Sequence, residues 1–388
     1  MDKKPKVLMV HNYYQIPGGE DTVVANEKKL LEDYGHKTVL YTRHNSELKT
    51  LSMWQKIFLP FSTVFNFKTY KDVKRIIKEE QIDLVHVHNT LNLISPSVYY
   101  AAFSCHVPVV QTVHNFRLLC PGATFYRDGH PCEDCIKDGL MCAVRHKCYR
   151  NSTMQTLACV VSTKIHRMLG TYQKLNYICL TEFNKEKLLQ LKQIKEKQVF
   201  VKPNFVENTE RIIPYKERKN QFVYVGRLEK IKGIEVLLKA WKLLGGEAPE
   251  LFLCGSGPLE AWAREYIQGN HLSNVRLLGF VPNEKVRKII GESKALILPT
   301  QVYEGFPMTI LEAYSVGTPV IGSDLGNTGS LIKEKINGIR FNPQSEEDLV
   351  RAIKELDIEE KTVLEYYKSH YSMESNYEKL QSIYQLAR

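Results

Sequence analysis

No stretch of this 388-residue sequence approaches the roughly 18 consecutive apolar residues of a membrane-crossing helix. The start, MDKKPKVLMVHN, is charged, and its apolar run ends too soon in polar residues for an export signal, so the expected location is the cytoplasm. Acidic side chains are scarce in one half only. Residues 1–205 hold 29 Lys and Arg against 18 Asp and Glu, a net of +11, whereas residues 206–388 hold 24 against 25. This leaves two readings: a generally basic protein, or one half that faces something anionic, such as a membrane surface or nucleic acid. No D-x-D pair stands at the end of an expected strand, so no metal ligands are predicted.

The nine cysteines, without an export signal, exclude a disulfide framework as the first expectation. Five of them, Cys120, Cys132, Cys135, Cys142 and Cys148, fall within 29 residues. Cys132 and Cys135 have the C-x2-C spacing of a zinc knuckle, but a second tight pair is missing. Structural zinc and buried thiols in a loop-rich insertion (116–150) both stay open.

What is present is a repeated strand–helix alternation. The continuous apolar run KVLMVHN (6–12) reads as a parallel strand buried on both faces. It passes through YYQIPGGED into a helix from about Thr22 to Tyr34 and then a strand at 36–44. Gly18 and Gly19 in that connection allow backbone amides to approach a diphosphate, or simply form a turn. Further strands are expected at 82–89, 107–115, 176–182 and 198–207. Pro203, the polar run Asn208–Arg211 and KERKNQ (216–221) mark an interdomain linker. The pattern then restarts with strands at 221–226, 251–258, 275–281, 295–299 and 319–324. Strict alternation gives parallel sheets covered on both faces. The aromatic stretch 48–70 reads either as a membrane-interfacial segment bearing Lys49, Lys56 and Lys68, or as a buried helix pair broken at Pro60.

The sharpest chemistry lies in EGFPMTILEA (304–313). A strand precedes it and Pro307 suits a helix start, so Glu304 belongs to a loop and Glu312 to the second helical turn. Helix N-terminal amides between two carboxylates suit a ligand carrying both phosphate and sugar hydroxyls. Upstream, VGRLEKIKG (225–233) places Arg227 and Lys232 beside another helix start, where unpaired cations are mildly unfavourable and a phosphate role explains them.

With E-x7-E at 304–312, G-R-x4-K-G at 226–233 and PGGED at 17–21, the chain resembles retaining glycosyltransferases of family 4. The likeness spans nearly the whole chain. It implies an α/β GT-B fold, two Rossmann-like doubly wound domains facing a cleft: an acceptor-binding domain 1–205, a nucleotide-sugar domain 206–365, and a helix at 366–388 crossing back. It implies a hexose moved from a nucleotide-diphosphate sugar (UDP or GDP) to a glycan acceptor in surface polysaccharide synthesis, without metal or other cofactor; the charge split and the aromatic stretch add the expectation of a lipid-linked acceptor at the cytoplasmic membrane face. Glu304 then holds sugar hydroxyls and Glu312 the ribose hydroxyls. Thr309 lies near the diphosphate, Arg227 and Lys232 take its charge, and His114 points toward the donor sugar. His86 and His88, on one strand face, read as packing or rim residues. One departure is Ser330, where the family usually has a glutamate at the start of the next helix. Two alternatives remain: a non-hydrolysing nucleotide-sugar 2-epimerase, for which both motifs at this separation are unexpected, and a basic nucleic-acid-binding protein with a zinc knuckle, which leaves the Glu304–Glu312 helix unexplained.

Overall fold

The structure, a computed structural model, describes residues 4–15, 18–50, 52–207 and 212–388, with the side chains of all of these but 55–57. Pro17 of PGGED, the linker residues Asn208–Arg211 and the Lys56 side chain therefore lie outside the described residues. The chain forms two compact units. The first comprises Met1–Phe125, Cys132–Asn204 and Asn376–Arg388, and the second Tyr126–Pro131 and Phe205–Ser375.

The first unit is built on strands β1 (Val7–Tyr13), β2 (Thr38–His44), β3 (Leu84–Val87) and β4 (Val109–Val113). After a short hairpin of β5 (Tyr126–Arg127) and β6 (His130–Pro131) come β7 (Asn176–Cys179) and β8 (Val199–Val201). The sheet order is β2-β1-β3-β4-β7-β8, with parallel pairing throughout. Because side chains alternate along a strand, the apolar run of β1 serves two layers. Leu8 and Val10 pack with Val73, Ile77 and Val98 on one face. Val7 and Met9 pack on the other with Val24 and Leu31 of the Gly19–Asp33 helix and with Leu380, Ile383 and Tyr384 of the Met373–Ala387 helix. Leu380 is fully buried there, which contributes about 1.5–3 kcal/mol for such a side chain.

The second unit repeats the plan with β9 (Gln221–Val225), β10 (Glu250–Cys254), β11 (Val275–Gly279), β12 (Ala295–Leu298), β13 (Val320–Ser323) and β14 (Gly338–Phe341). Their order is β11-β10-β9-β12-β13-β14, again all parallel. In both sheets the strand that comes first in sequence lies inside and the order reverses next to it, the arrangement of a doubly wound nucleotide-binding fold.

Three expectations need correction. The Met53–Val64 helix runs through Pro60 instead of breaking there. Proline forgoes one intrahelical bond, and the Ser62 and Thr63 hydroxyls both donate to the Leu59 carbonyl beside it. KERKNQ is not linker. Arg218 within it is buried, and its guanidinium donates to the carbonyls of Ile213, Ser293, Val316 and Gly317 and to the Thr318 hydroxyl. The fork of donors finds an acceptor at each position, so the charge is tolerated inside. The helix after β13 starts at Gly326, so Ser330 sits near its end and bonds back to the Asn327 carbonyl.

Candidate active site

In the second sheet β9 and β12 are neighbours, and their connections leave to opposite sides. Such a reversal opens a crevice at the carboxyl ends of the strands. Lys232 follows β9 and Glu304 follows β12, so the two converge there. Lys232 Nζ stands 2.7 and 3.0 Å from the two carboxylate oxygens of Glu304. The Thr300 hydroxyl donates to Glu304 Oε1 at 2.8 Å. The loop itself is pinned by Asn327, whose amide donates to the Glu304 and Gly305 carbonyls at 2.6 and 2.7 Å.

Close backbone approach explains Gly233, directly after Lys232. It has φ +76, and a Cβ there would stand 1.7 Å from the Pro299 carbonyl oxygen. Glycine thus lets the β9 and β12 connections touch, which sets the reach of Lys232 to Glu304. Arg227 leaves the same strand end but turns outward. Its side chain is 69% exposed and pairs with Glu229 at 2.5 Å, while its carbonyl is held by the Tyr224 hydroxyl.

The Met308–Ser315 helix begins immediately after this loop, with Pro307 as N-cap. Thr309 lies in its first turn. Glu312 lies in its second, half-buried, and burial raises its carboxyl above the ordinary value while Arg287 partly opposes. An ion pair that a ligand can open, a hydroxyl and a helix N-terminus thus share one strand-end crevice. This is apt for an anion bearing hydroxyl groups.

The titratable groups of the first sheet are arranged differently. His114, at the end of β4, is buried, and its Nε2 lies 3.0 Å from His88 Nδ1. Burial pushes the His114 imidazole down to about 3 and lowers His88 as well, so both are neutral. His86 spends both nitrogens, on the Tyr384 hydroxyl and the Thr112 hydroxyl, each at 2.7 Å. Glu27 completes the group, with Lys202 Nζ 2.9 Å from its carboxylate and Asn376 taking a second Lys202 proton at 2.9 Å. Burial alone would raise Glu27, but Lys202 and His86 outweigh it and hold it well below the usual range.

Glu27, His86 and His88 lie close enough to share a metal ion. The Lys202 ammonium already supplies the positive charge there, and His86 has no nitrogen left. The cluster therefore fits an ion-paired hub, in which His86 and His88 do more than line a strand rim.

Gly18 caps the Gly19–Asp33 helix in extended backbone at φ −130, and nothing stands within 4 Å of where its Cβ would be. Among the described residues neither strain nor crowding demands glycine at position 18. Beside it Glu20 is largely buried against the Tyr14 hydroxyl, 3.2 Å away, and burial pushes its carboxyl up to about 8. Asp21 meets His11 Nε2 at 2.8 Å. His88 and His114, with Asn115, Arg117, Tyr99 and Gln111, line a pocket within this unit.

Sequence reasoning missed Thr300, Asn327, Glu20 and Asp21. The last two stood inside PGGED and carried a signal, two acidic residues in the first turn of a helix. Thr300 and Asn327 carried none, since one polar residue in a loop looks like another.

Comparison with known proteins adds the family. Residues 205–372 match the model of glycosyl transferases group 1, and residues 17–131 match that of glycosyltransferase family 4. An uncharacterized glycosyltransferase of Methanocaldococcus jannaschii is 25% identical over 360 residues, 90% of this chain and 88% of that protein. The O-antigen chain mannosyltransferase C of Escherichia coli is 30% identical over 165 residues, 41% of this chain and 43% of that protein. Among solved structures, the lipopolysaccharide outer core galactosyltransferase WaaB superposes with a TM-score of 0.67 at 18% identity, covering 97% and 98% of the two chains. A HepE structure from Anabaena with UDP and glucose superposes with a TM-score of 0.63 at 14% identity, covering 97% and 98%. With two doubly wound units, a family 4 match over residues 17–131 and a group 1 match over residues 205–372, the chain belongs to the family 4 and group 1 glycosyltransferases of GT-B fold.

Proposed function

We propose that the protein moves a hexose, with retention, from a nucleotide-diphosphate sugar to a glycan acceptor carried on a lipid, in the assembly of a cell-surface polysaccharide. The observation that carries this reading is the Lys232–Glu304 pair at the strand reversal, directly before the Thr309 helix. In the reaction the bond between the anomeric carbon and the phosphate oxygen breaks. Negative charge grows on the departing diphosphate, and positive charge grows on the sugar. Lys232 then leaves Glu304 for the phosphate, Arg227 swings in from Glu229, and the helix amides near Thr309 take the rest. That set of fixed charges makes a divalent metal unnecessary. Glu304, released, accepts sugar hydroxyls, and Glu312 accepts the ribose hydroxyls. The acceptor attacks from the face the diphosphate leaves, and the diphosphate takes its proton.

The relatives lend support. One relative, from Erwinia amylovora, is named for amylovoran biosynthesis and another for the O-antigen chain, and HepE is seen with UDP. The test is a panel of UDP- and GDP-sugars with a lipid-diphosphate acceptor in EDTA, the anomer of the product being read by NMR. One accepted donor and an α-linked product from an α-donor are expected. Inversion, or activity restored only by Mg²⁺ or Mn²⁺, would overturn the mechanism.

The lipid-linked acceptor rests on a surface. Trp54, Phe58 and Phe61 of the Met53–Val64 helix are exposed at helical spacing, Trp54 to 73%. The Thr153–Met168 helix packs against that helix, through Ser162 to the Thr63 carbonyl and His166 to the Val64 carbonyl. It exposes Met154, Leu157, Val161 and Met168 on one face, Met168 to 84%. Exposed Lys49, Lys68, Lys71 and Lys164 flank the two helices. An apolar face with a basic border suits an anionic membrane surface, each nearby cation contributing about 1 kcal/mol. We therefore place the enzyme peripherally on the cytoplasmic membrane face. Sedimentation with anionic vesicles at low and high salt tests this with a Trp54→Ser, Phe61→Ser, Met168→Ser variant. Wild type binds at low salt and the variant does not; equal binding, or a wild-type dimer and no binding, would overturn it.

A further inference from the structure

The two helices that present the apolar face both end at one groove. After the Met53–Val64 helix the chain continues through Phe65 and Phe67, and after the Thr153–Met168 helix through Leu169 and Thr171. All four residues line a groove of about 620 Å³. Its other rings, Tyr70, Tyr100 and Phe103, come from the Phe67–Glu79 and Ser97–Ser104 helices. Pockets of roughly 300–1,000 Å³ are of the size that takes a single small ligand. The walls are fixed before anything enters. The Phe65 ring lies 4.9 Å from Phe67, 5.8 Å from Tyr70 and 5.6 Å from Tyr100, and Tyr100 lies 6.2 Å from Phe103. The Tyr100 hydroxyl is held by Thr171 Oγ1 at 2.6 Å and His166 Nδ1 at 3.0 Å. Most of Phe67 and Leu169 nevertheless stays exposed. Apolar surface gathered in a hollow and left to water marks a place where something binds.

The border of the groove is cationic. Lys71 and Lys174 line it, and both are exposed. The Lys174 ammonium stands 5.5 Å over the Phe103 ring, and that of nearby Lys74 stands 5.4 Å over Tyr70. Such contacts keep an ammonium on the rings and leave its charge unneutralised. Among the described residues none of the three lysines pairs with a carboxylate. Lys71 and Lys74 stand three apart on one helix, where like charges repel. Rings and cations together suit an amphiphile with an apolar chain and an anionic head. Position narrows the choice. Phe103 and Ser104 come shortly before β4, and Leu169 to Lys174 shortly before β7, so this part of the groove lies toward the amino ends of the strands. Substrates of such folds react at the carboxyl ends, which separates the groove from the reacting part of the acceptor. A second copy of the chain fits poorly too, since a two-fold contact would set the same lysines against one another.

We propose that this groove seats one anionic phospholipid, an acyl chain along the rings of Phe65, Tyr70, Tyr100 and Phe103 and the phosphate at Lys71 and Lys174. The proposal rests on the reading of the enzyme as peripheral on an anionic membrane, and it adds a site for one molecule to what is otherwise a diffuse attraction. Lysine meets phosphate as a point charge, so the head is selected by its net charge more than by its shape. Walls already held in place spare the chain part of the ordering cost of binding. Affinity therefore needs both halves of the lipid: a head without a chain loses the rings, and a chain under a neutral head loses the lysines.

The test is titration of the full chain with dihexanoyl phosphatidylglycerol below its micelle-forming concentration, so that no membrane surface is present, with bound lipid counted by native mass spectrometry. One lipid per chain is expected at saturation. Dihexanoyl phosphatidylcholine, whose head is neutral overall, and glycerol 3-phosphate, which has no chain, should each bind about tenfold more weakly. Lys71→Ala/Lys174→Ala should lower the affinity for phosphatidylglycerol about tenfold. Leu169→Glu, which sets a carboxylate at the groove, should do the same. All three changes are at exposed positions, and an unchanged Tm shows that the variants fold. The Trp54→Ser, Phe61→Ser, Met168→Ser variant should keep the soluble lipid, because none of those residues lines the groove. Equal binding of phosphatidylcholine, groove variants that bind like wild type, or displacement of the phospholipid by the lipid-diphosphate acceptor overturns the proposal, as does a dimer that Leu169→Glu dissolves. Wild type that sediments with anionic vesicles but takes up no soluble phosphatidylglycerol overturns it too, and leaves the membrane reading standing. Uptake of the soluble lipid without sedimentation supports the groove and sinks the membrane reading alone.

Discussion

The two sheets share a plan and use their strand ends in opposite ways. In the first unit the charged and titratable side chains of Glu27, Lys202, His86, His88 and His114 are buried and bonded mainly to one another. In the second, Lys232 and Glu304 pair at a half-exposed strand end, where a ligand can take either partner. A buried pair cannot change partners without leaving a charge uncompensated, whereas a half-exposed one can. The same residue types thus serve as scaffold in one unit and as exchangeable contacts in the other.

Breaking the scaffold should give the largest effect. Lys202→Met leaves Glu27 buried without its cation and should cost about 3–5 kcal/mol of stability, read by denaturant unfolding. A cost below about 1 kcal/mol would erase the distinction between the units. Breaking the exchangeable pair should instead spare the fold. Lys232→Ala and Glu304→Ala should each lower turnover on the order of 10²–10³-fold with Tm nearly unchanged. Asn327→Ala sharpens the comparison by loosening the Glu304 loop alone. It should cost about 1–2 kcal/mol, roughly tenfold in kcat/KM, with Lys232 intact.

The smallest effect is a slope with pH. His11, His88 and His114 are all lowered, so below about pH 6.5 the unfolded chain takes up protons that the folded chain refuses. Stability should therefore fall as pH drops from 7 to 5. Glu20, raised to about 8, acts the other way, because the folded chain holds its proton between about pH 4.5 and 8. His36 and His166 are lowered too and Glu312 is raised with Glu20, so five histidines against two carboxyls leave a net loss on acidification, at about 1.4 kcal/mol per proton per pH unit at most. Chemical unfolding at pH 7, 6 and 5 reads it directly, and a Glu20→Gln variant should steepen the slope.

Much of the fold was legible because buried parallel strands write themselves as apolar runs, as in VLMV of β1 and ALIL of β12. β14 was not, since GIRF is four residues long and follows the charged stretch KEKIN. Arg218 misled for a similar reason: burial of a charge depends on five acceptors, four of them supplied from distant residues, which no local pattern records. At the candidate site the spacing of Glu304 and Glu312 and the position of Lys232 were readable, because a helix start and a strand end fix them locally. That Lys232 would rest on Glu304 follows only from strands β9 and β12 lying side by side, and that Asn327 would hold the loop follows from β13 lying beside β12. The hub in the first unit stayed hidden for the same reason. Its members come from five separate elements, among them a helix at the far end of the chain.

The central claim is that the half-exposed pair of the second unit receives a nucleotide-diphosphate sugar. The most direct measurement is ligand-induced stabilisation across a panel of UDP- and GDP-sugars, run side by side on wild type, Lys232→Ala and Glu304→Gln. At a hundredfold excess over Kd a bound donor stabilises its protein by about 2.7 kcal/mol. Wild type should show that shift with one nucleotide class, while both variants keep the unliganded Tm and lose most of the shift. Variants stabilised by the donor as strongly as wild type would contradict the assignment.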